Sequence, residues 1–157
     1  MRTKEYAFPV AVRSMGARTV RAAVTGKASI TVATPPEFHR EADPQVWSPE
    51  DLLTAAAATC LAVTIAGAAE REHLHIHDLS VEATGVVGRR EDGRFGFVRI
   101  EQRVAVAAPE EDVERARLVV ERAEASCLVR VSLDVEVETT IEVSALGGLA
   151  RTRLSHA

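Results

Sequence analysis

Two cysteines are the residues of this chain with the clearest potential for chemistry. The 157 residues contain only Cys60 and Cys127, and each falls on the apolar stripe of a predicted helix. If the two stripes face each other, the thiols can approach disulfide distance, about 4.4–6.8 Å between Cα atoms. Both could equally be inert core thiols, because free cysteine is among the most buried residue types. The pattern alone leaves both interpretations open.

The two cysteines differ in the reactivity that their positions predict. An ordinary thiol has a pKa of about 8.5, so only a small fraction is thiolate at neutral pH. Cys127 is expected near a helix C-terminus, where the helix dipole disfavours a thiolate. Cys60 is expected inside a helix in an apolar setting, so it needs a cation from another segment to react. We therefore assign Cys60 as the reactive thiol and Cys127 as the resolving thiol.

Two long helices are predicted to position these thiols. Ser48 as N-cap, Pro49 at the first helical position and Asp51 three residues after the cap predict a helix over about 49–72. Its other faces are also rich in alanine, so we expect it to be buried all round. The expected apolar stripe comprises Leu52, Leu53, Ala56, Cys60, Val63 and Gly67. A second helix opens at residues 109–112 and has a stripe of Val113, Ala116, Val120, Ala123 and Cys127.

Alternating apolar residues predict strands around these helices. Two short strands are expected within 19–34, one at 79–84 and a longer one at 95–107 with a register change near Phe97. A final strand is predicted at 129–137, with an extension to Val143 as an open alternative. Charged turns and hairpin spacing favour antiparallel pairing. The order β-β-α-β-β-α-β therefore predicts the α+β class.

Composition excludes several classes of function. The chain has 19 basic and 23 acidic residues, a formal net charge of −4, and its basic residues are scattered, which argues against a nucleic-acid partner. No run reaches the roughly 18 apolar residues of a membrane helix, so no membrane partner is expected. The N-terminus leads into no long apolar run and is not interpreted as a signal peptide. A cytoplasmic protein is the expectation.

Two segments resemble a known family. Residues 48–60 read SPEDLLTAAAATC and resemble the S-P-E-x-L-L-x-A-A-x-A-x-C segment of the osmotically inducible protein C and organic hydroperoxide resistance family (OsmC/Ohr). Cys127-Leu128-Val129 resembles the second cysteine of that family, at the end of its second long helix. The resemblance covers 19–143, which we define as an OsmC-like domain between a leader at 1–18 and a tail at 144–157.

The family resemblance implies a fold and an activity. The fold would have two long central helices with antiparallel sheets wrapped around them, in an intertwined homodimer with active sites at the interface. The activity would be thiol-dependent reduction of organic hydroperoxides without a cofactor. Cys60 would become a sulfenic acid, Cys127 would resolve it as a disulfide, and an external dithiol would reset the pair. The alternative is a non-catalytic member of the fold that binds a small apolar ligand.

The family site also contains a glutamate and an arginine. Glu50 matches the glutamate, but ten residues of helix separate it from Cys60 by about 15 Å. A shared site must therefore take Glu50 from a partner helix; its alternative role is charge on the first helical turn. Arg40 matches the arginine of the OsmC branch, with Arg18 and Arg21 as reserves. Arg40 could also be a solvated loop residue.

Two aromatic residues and a row of histidines complete the candidates. Phe38 and Trp47 flank the Arg40 loop and could wall an apolar mouth that favours organic hydroperoxides. The alternative for Trp47 is a hydrophobic staple on Leu52. His73, His75 and His77 would share a strand face and could form a zinc pair. No further ligand stands at a suitable spacing, so we interpret them as a solvated row and expect no metal.

Overall fold

Residues 4–146 form six strands and three α-helices. The computed structural model describes residues 4–146, which fall into one compact unit up to Leu52 and a second from Leu53 onward. The elements are β1 Ala11–Gly16, β2 Thr19–Ala23, β3 Ile30–Ala33, α1 Pro49–Arg71, β4 Asp78–Arg89, β5 Phe95–Ala108, α2 Val113–Ser126, α3 Leu128–Ser132 and β6 Glu136–Ala145. A 3₁₀ turn at Glu110–Asp112 leads into α2. The predicted α+β class is confirmed.

The first unit contains an antiparallel sheet in the order β1-β2-β3. β2 and β3 are the two strands predicted within 19–34. β1 lies within the segment 1–18, for which the sequence predicted a leader and no strand. Every residue of β1 is exposed, so burial imposes no alternation on its sequence, and pairing with β2 is what makes it a strand. Ala17 and Arg18 form the connecting turn with positive φ angles of 48° and 60°.

The start of α1 is determined locally, as predicted. The Asp51 amide donates to the Ser48 hydroxyl at 3.0 Å, and the Ser48 amide donates to the Asp51 carboxylate at 2.8 Å. These reciprocal bonds satisfy groups that the first helical turn leaves without partners. The helix ends at Arg71, one residue before the predicted end.

The packing of α1 differs from the prediction. Its buried row is Ala57, Leu61, Ile65 and Ala69 rather than the stripe through Cys60. Val63 is 67% exposed, so a single chain does not bury α1 all round. Small apolar residues on every face make the sequence compatible with several buried rows. By length and composition α1 is apolar enough to span a membrane, but core helices of globular proteins pass the same test, so the expectation of no membrane partner stays a prediction.

The second unit contains a sheet in the order β4-β5-β6. β4 and β5 are antiparallel, and Val86 pairs with Arg99 while Val87 pairs with Phe97. The skipped residue is Val98, a bulge that confirms the register change predicted near Phe97. β5 and β6 run parallel, which corrects the expectation of antiparallel pairing throughout. Parallel neighbours require a long crossover, and the segment containing α2 supplies it.

The region after Cys127 is the largest departure from the predicted strands. Leu128–Ser132 is the short helix α3, and β6 begins only at Glu136. The Val131 amide donates to the Cys127 carbonyl at 3.0 Å, a helical bond that a strand would not make. β6 continues to Ala145, past the predicted start of the tail at residue 144. The remainder of that tail, 147–157, lies outside the described residues.

The core of the second unit is aliphatic and contains one of the cysteines. The predicted stripe of α2 is confirmed in its main part, since Ala116, Val120, Ala123 and Cys127 are buried together with Val119. The other members of this buried cluster come mainly from α1 and β5 and are Leu61, Ile65, Ala69, Leu74, Val104, Val106 and Ala108. Cys60 packs against the edge of the cluster. The core thus encloses Cys127 and leaves Cys60 at its boundary.

Candidate functional site

The structure brings the two cysteines into contact within the second unit. Cys60 lies in the middle of α1 and is half-buried, whereas Cys127 is buried at the junction between α2 and α3. Both are free thiols. Hydrogen bonding between the two thiols lowers the pKa of Cys60 and raises the pKa of Cys127. Two sulfurs in such contact can exchange a proton and, after oxidation of one of them, can react with each other.

Backbone amides at the start of α3 also bond to the Cys60 sulfur. Hydrogen bonding from the N–H groups of Leu128 and Val129 lowers the pKa of the Cys60 thiol. Cys127 has an extended backbone, with φ −61° and ψ 116°, which turns the chain from α2 into α3. The first amides of a helix have no partner inside that helix and can bond to an external acceptor. The sequence interpretation missed these donors because it placed a strand at 129–137.

These donors determine the ionisation of Cys60. Burial raises the pKa of the Cys60 thiol, but bonds from the Val129 amide, the Cys127 thiol, Thr64 and the Leu128 amide outweigh it. The net pKa of Cys60 is therefore lower than its ordinary value. The Thr64 hydroxyl also donates to the Cys60 carbonyl at 2.7 Å. All of these groups are uncharged, so hydrogen bonds within the chain lower the pKa of Cys60 without a cation, and the predicted cation at Cys60 stays a prediction.

The pKa of Cys127 is shifted in the opposite direction, above its ordinary value. Burial raises the pKa of the Cys127 thiol, and the amides of Arg130 and Val129 only partly oppose this effect. The hydrogen bond to Cys60 and the negative charge of a Cys60 thiolate raise it further. At neutral pH, Cys127 is therefore the protonated partner and Cys60 the one that ionises more readily.

The other four candidate residues lie in the first unit. Arg40 is exposed in the loop that joins β3 to α1, and Glu50 is half-buried in the first turn of α1. Phe38 and Trp47 are exposed on the same loop. The Trp47 carbonyl accepts a bond from the Ala33 amide at 2.9 Å, which ties the end of the loop to β3. The placement of these residues at Cys60 stays a prediction.

The histidine row lies between α1 and β4 rather than on a strand. His73, His75 and His77 are all exposed, and His73 has a positive φ of 51°. The rings of His75 and His77 meet edge to face, with their centroids 4.5 Å apart. Among residues 4–146, no three histidine, cysteine or acidic side chains are grouped so that they could hold a metal ion.

Comparisons with known proteins agree with this fold. The sequence model described as OsmC-like protein matches residues 42–142. The uncharacterized protein YmaD of Bacillus subtilis is 35% identical over 106 residues, which are 64% of this chain and 70% of that protein.

Solved structures of OsmC-like and organic hydroperoxide resistance proteins have a similar fold. An OsmC-like protein of unknown function from Vibrio cholerae has a TM-score of 0.79 at 16% identity, with 87% of this chain and 99% of that chain covered. An organic hydroperoxide resistance protein from Elizabethkingia anophelis has a TM-score of 0.72 at 20% identity, covering 92% and 100%. The organic hydroperoxide resistance protein OhrB of Bacillus subtilis has a TM-score of 0.61 at 21% identity, covering 88% and 98%.

Proposed function

This chain belongs to the OsmC-like protein family, and on that premise we propose that it is a thiol-dependent peroxidase that reduces organic hydroperoxides. The observation that carries the proposal is the contact between two thiols with opposite pKa shifts. A lowered pKa suits an attacking thiol, and a buried thiol beside it suits a resolving one. The fold is shared with organic hydroperoxide resistance proteins, which is consistent with this chemistry.

The first step of the proposed reaction is attack by Cys60. Its thiolate forms a bond to the terminal oxygen of the hydroperoxide, the O–O bond breaks, and an alkoxide leaves. The alkoxide takes a proton from water and becomes the alcohol. Cys60 becomes a sulfenic acid, so sulfur is oxidised by two electrons and the hydroperoxide is reduced by two.

The second step joins the two sulfurs. Cys127 loses its proton, its sulfur attacks Cys60, a disulfide forms, and the sulfenic oxygen leaves as water after protonation. The contact between the thiols supports this direct route. An external dithiol then reduces the disulfide by exchange. The two cysteine thiols supply the two electrons that reduce the hydroperoxide, so the proposal includes no cofactor.

The test of this function is hydroperoxide consumption by the wild-type chain. Cumene hydroperoxide should be consumed when dithiothreitol is supplied, and more efficiently than hydrogen peroxide if Phe38 and Trp47 wall an apolar mouth. A chain that consumes neither peroxide above the uncatalysed rate would contradict the proposal. That result would favour a non-catalytic fold that binds a small apolar ligand.

We also propose that the protein is a homodimer. Val63 on α1 and Leu118 on α2 are exposed in the single chain, and Leu128 and Val131 on α3 are exposed as well. Exposed apolar side chains on helices favour burial against another surface, and a second copy would supply one. Light scattering at micromolar concentration should give twice the mass of one chain. A stable monomer would contradict this prediction.

The homodimer gives a role to Glu50 and Arg40. Glu50 is ten residues before Cys60 on α1, about 15 Å along a helix axis. We therefore propose that the Glu50 and the Arg40 that serve one Cys60 come from the second copy. The guanidinium of Arg40 would stabilise the thiolate and bind the peroxide oxygen, and the carboxylate of Glu50 would hold the guanidinium in place.

Replacing Arg40 with alanine tests this role. Loss of a nearby cation raises a thiol pKa by roughly one to three units, so peroxide reduction at pH 7 should slow by about tenfold or more. Part of the loss should return at pH 9, where the thiolate forms unaided, but lost contacts to the peroxide would not return. Arg13→Ala, at another exposed arginine of the first unit, should change little. An unchanged rate in Arg40→Ala from pH 7 to pH 9 would remove Arg40 from the site and point to Arg18, Arg21 or no peroxidase arginine at all.

A further inference from the structure

The short helix α3 supplies the amides that bond to Cys60, but it has little stability of its own. It has five residues, and isolated helices of this length do not persist in water. Within a single chain Leu128 and Val131 are 70% and 62% exposed, so apolar contacts of these two side chains inside the chain do not hold the helix in place. The position of its amides must therefore depend on other attachments.

One such attachment is an ion pair between α3 and α2. Nε of Arg130 on α3 lies 2.6 Å from Oε1 of Glu124 on α2. The Arg130 side chain is 35% exposed and the Glu124 side chain 18%, whereas the Arg103–Glu142 pair between β5 and β6 has values of 52% and 45%. The Arg130–Glu124 charges are thus less screened by water than those of this surface pair.

Glu124 also connects to the sheet. The Thr139 hydroxyl on β6 donates to the same Oε1 atom of Glu124 at 3.2 Å. The Glu124 backbone carbonyl accepts the Cys127 amide at 3.3 Å. Glu124 therefore connects α2, to which it belongs, with Cys127, α3 and β6.

We propose that Glu124 and Arg130 are positioning residues, whose ion pair holds α3 so that the Leu128 and Val129 amides reach the Cys60 sulfur. The proposal deepens the proposed function and rests on it, because it concerns the thiol that would attack the peroxide. Neither side chain is assigned a contact with the peroxide. Their action on Cys60 runs through the backbone of α3.

The physical consequence of breaking the pair can be stated for each partner. A partly buried charge that loses its partner is costly, so the remaining side chain turns toward water. If Glu124 is neutralised, Arg130 is drawn out to solvent and the side-chain link between α3 and α2 is lost. The bonds from the α3 amides to Cys60 then lengthen. They offset less of the effect of burial, so the pKa of Cys60 rises.

The test measures alkylation of Cys60 by iodoacetamide as a function of pH in the reduced full-length chain, with labelling located by peptide mass spectrometry. The wild-type rate should rise with a midpoint below that of an unperturbed cysteine. In Glu124→Gln the midpoint should rise by about one unit, so that labelling at pH 7 slows about tenfold and recovers at pH 10. Arg130→Met should raise the midpoint by a similar amount. Arg130→Lys, which keeps the positive charge, should raise it less.

Matched variants separate positioning from general destabilisation. Glu142→Gln removes the carboxylate of the more exposed pair and should leave the midpoint unchanged. If Glu124→Gln fails to give a folded circular dichroism spectrum, Thr139→Val removes only the hydroxyl bond to Glu124 and should give a smaller rise. A folded Glu124→Gln protein with an unchanged midpoint, or with labelling slowed equally at every pH, would overturn the proposal.

This measurement is independent of peroxide. A chain inactive toward hydroperoxides that still shows the shifted midpoint would refute the proposed function and retain the positioning role. An active peroxidase in which Glu124→Gln leaves the midpoint of Cys60 alkylation unchanged would support the proposed function and refute the positioning role.

Discussion

Cys60→Ser is expected to reduce hydroperoxide turnover to the uncatalysed rate. A serine hydroxyl is hardly ionised at neutral pH, and it forms no counterpart of a sulfenic acid. The hydrogen bonds that lower the pKa of Cys60 cannot compensate for this difference. The measurement is steady-state consumption of cumene hydroperoxide with dithiothreitol, and a Cys60→Ser chain that retains turnover would exclude Cys60 as the attacking group.

The pH dependence of the wild type is the companion measurement. Because the pKa of Cys60 is lowered, its thiolate persists to lower pH than that of an ordinary cysteine. The rate of a single attack should therefore rise with pH through a midpoint below that of an unperturbed cysteine and be flat above it. Cys60→Ser should show no such rise.

Cys127→Ser is expected to preserve one attack and to abolish its resolution. The hydroxyl of the introduced serine can still donate a hydrogen bond to the Cys60 sulfur, so the thiolate should form nearly as readily. The sulfenic acid has no sulfur partner and should accumulate and then over-oxidise to sulfinic and sulfonic acids. Mass spectrometry should show one added oxygen atom on Cys60 after one equivalent of hydroperoxide, and two or three after an excess.

This experiment is best performed without dithiol, since a small thiol could reduce the sulfenic acid directly. The wild type treated in the same way should give a disulfide and no added oxygen. A Cys127→Ser chain that fails to react in a single turnover, beside a Cys60→Ser chain that does react, would mean that the two roles are reversed.

Several features of the fold could be predicted from the sequence because they depend on neighbouring residues. The start of α1 follows from Ser48 and Asp51, which are three residues apart and bond to each other. The stripe of α2 stands out because charged residues separate its apolar positions, and it places Cys127 in the core as predicted. The SPEDLLTAAAATC segment indicated the family that the comparison with residues 42–142 supports.

Other features depend on contacts between distant segments. α1 has small apolar residues on all faces, so only packing in the second unit selects Ala57, Leu61, Ile65 and Ala69 as its buried row. β1 is a strand because β2 pairs with it, although no burial pattern marks it. The parallel pairing of β6 with β5 follows from the crossover through α2.

The activation of Cys60 is the clearest case of a property that only the tertiary structure decided. The sequence pattern predicted both thiols on helices and their two roles. Its alternating valines, however, predicted a strand where the structure has α3. The amides of Leu128 and Val129 reach the Cys60 sulfur because α2, α3 and β6 are held together around Glu124. A thiol pKa depends on every donor within reach of the sulfur, and here the donors belong to residues far from Cys60 in the chain.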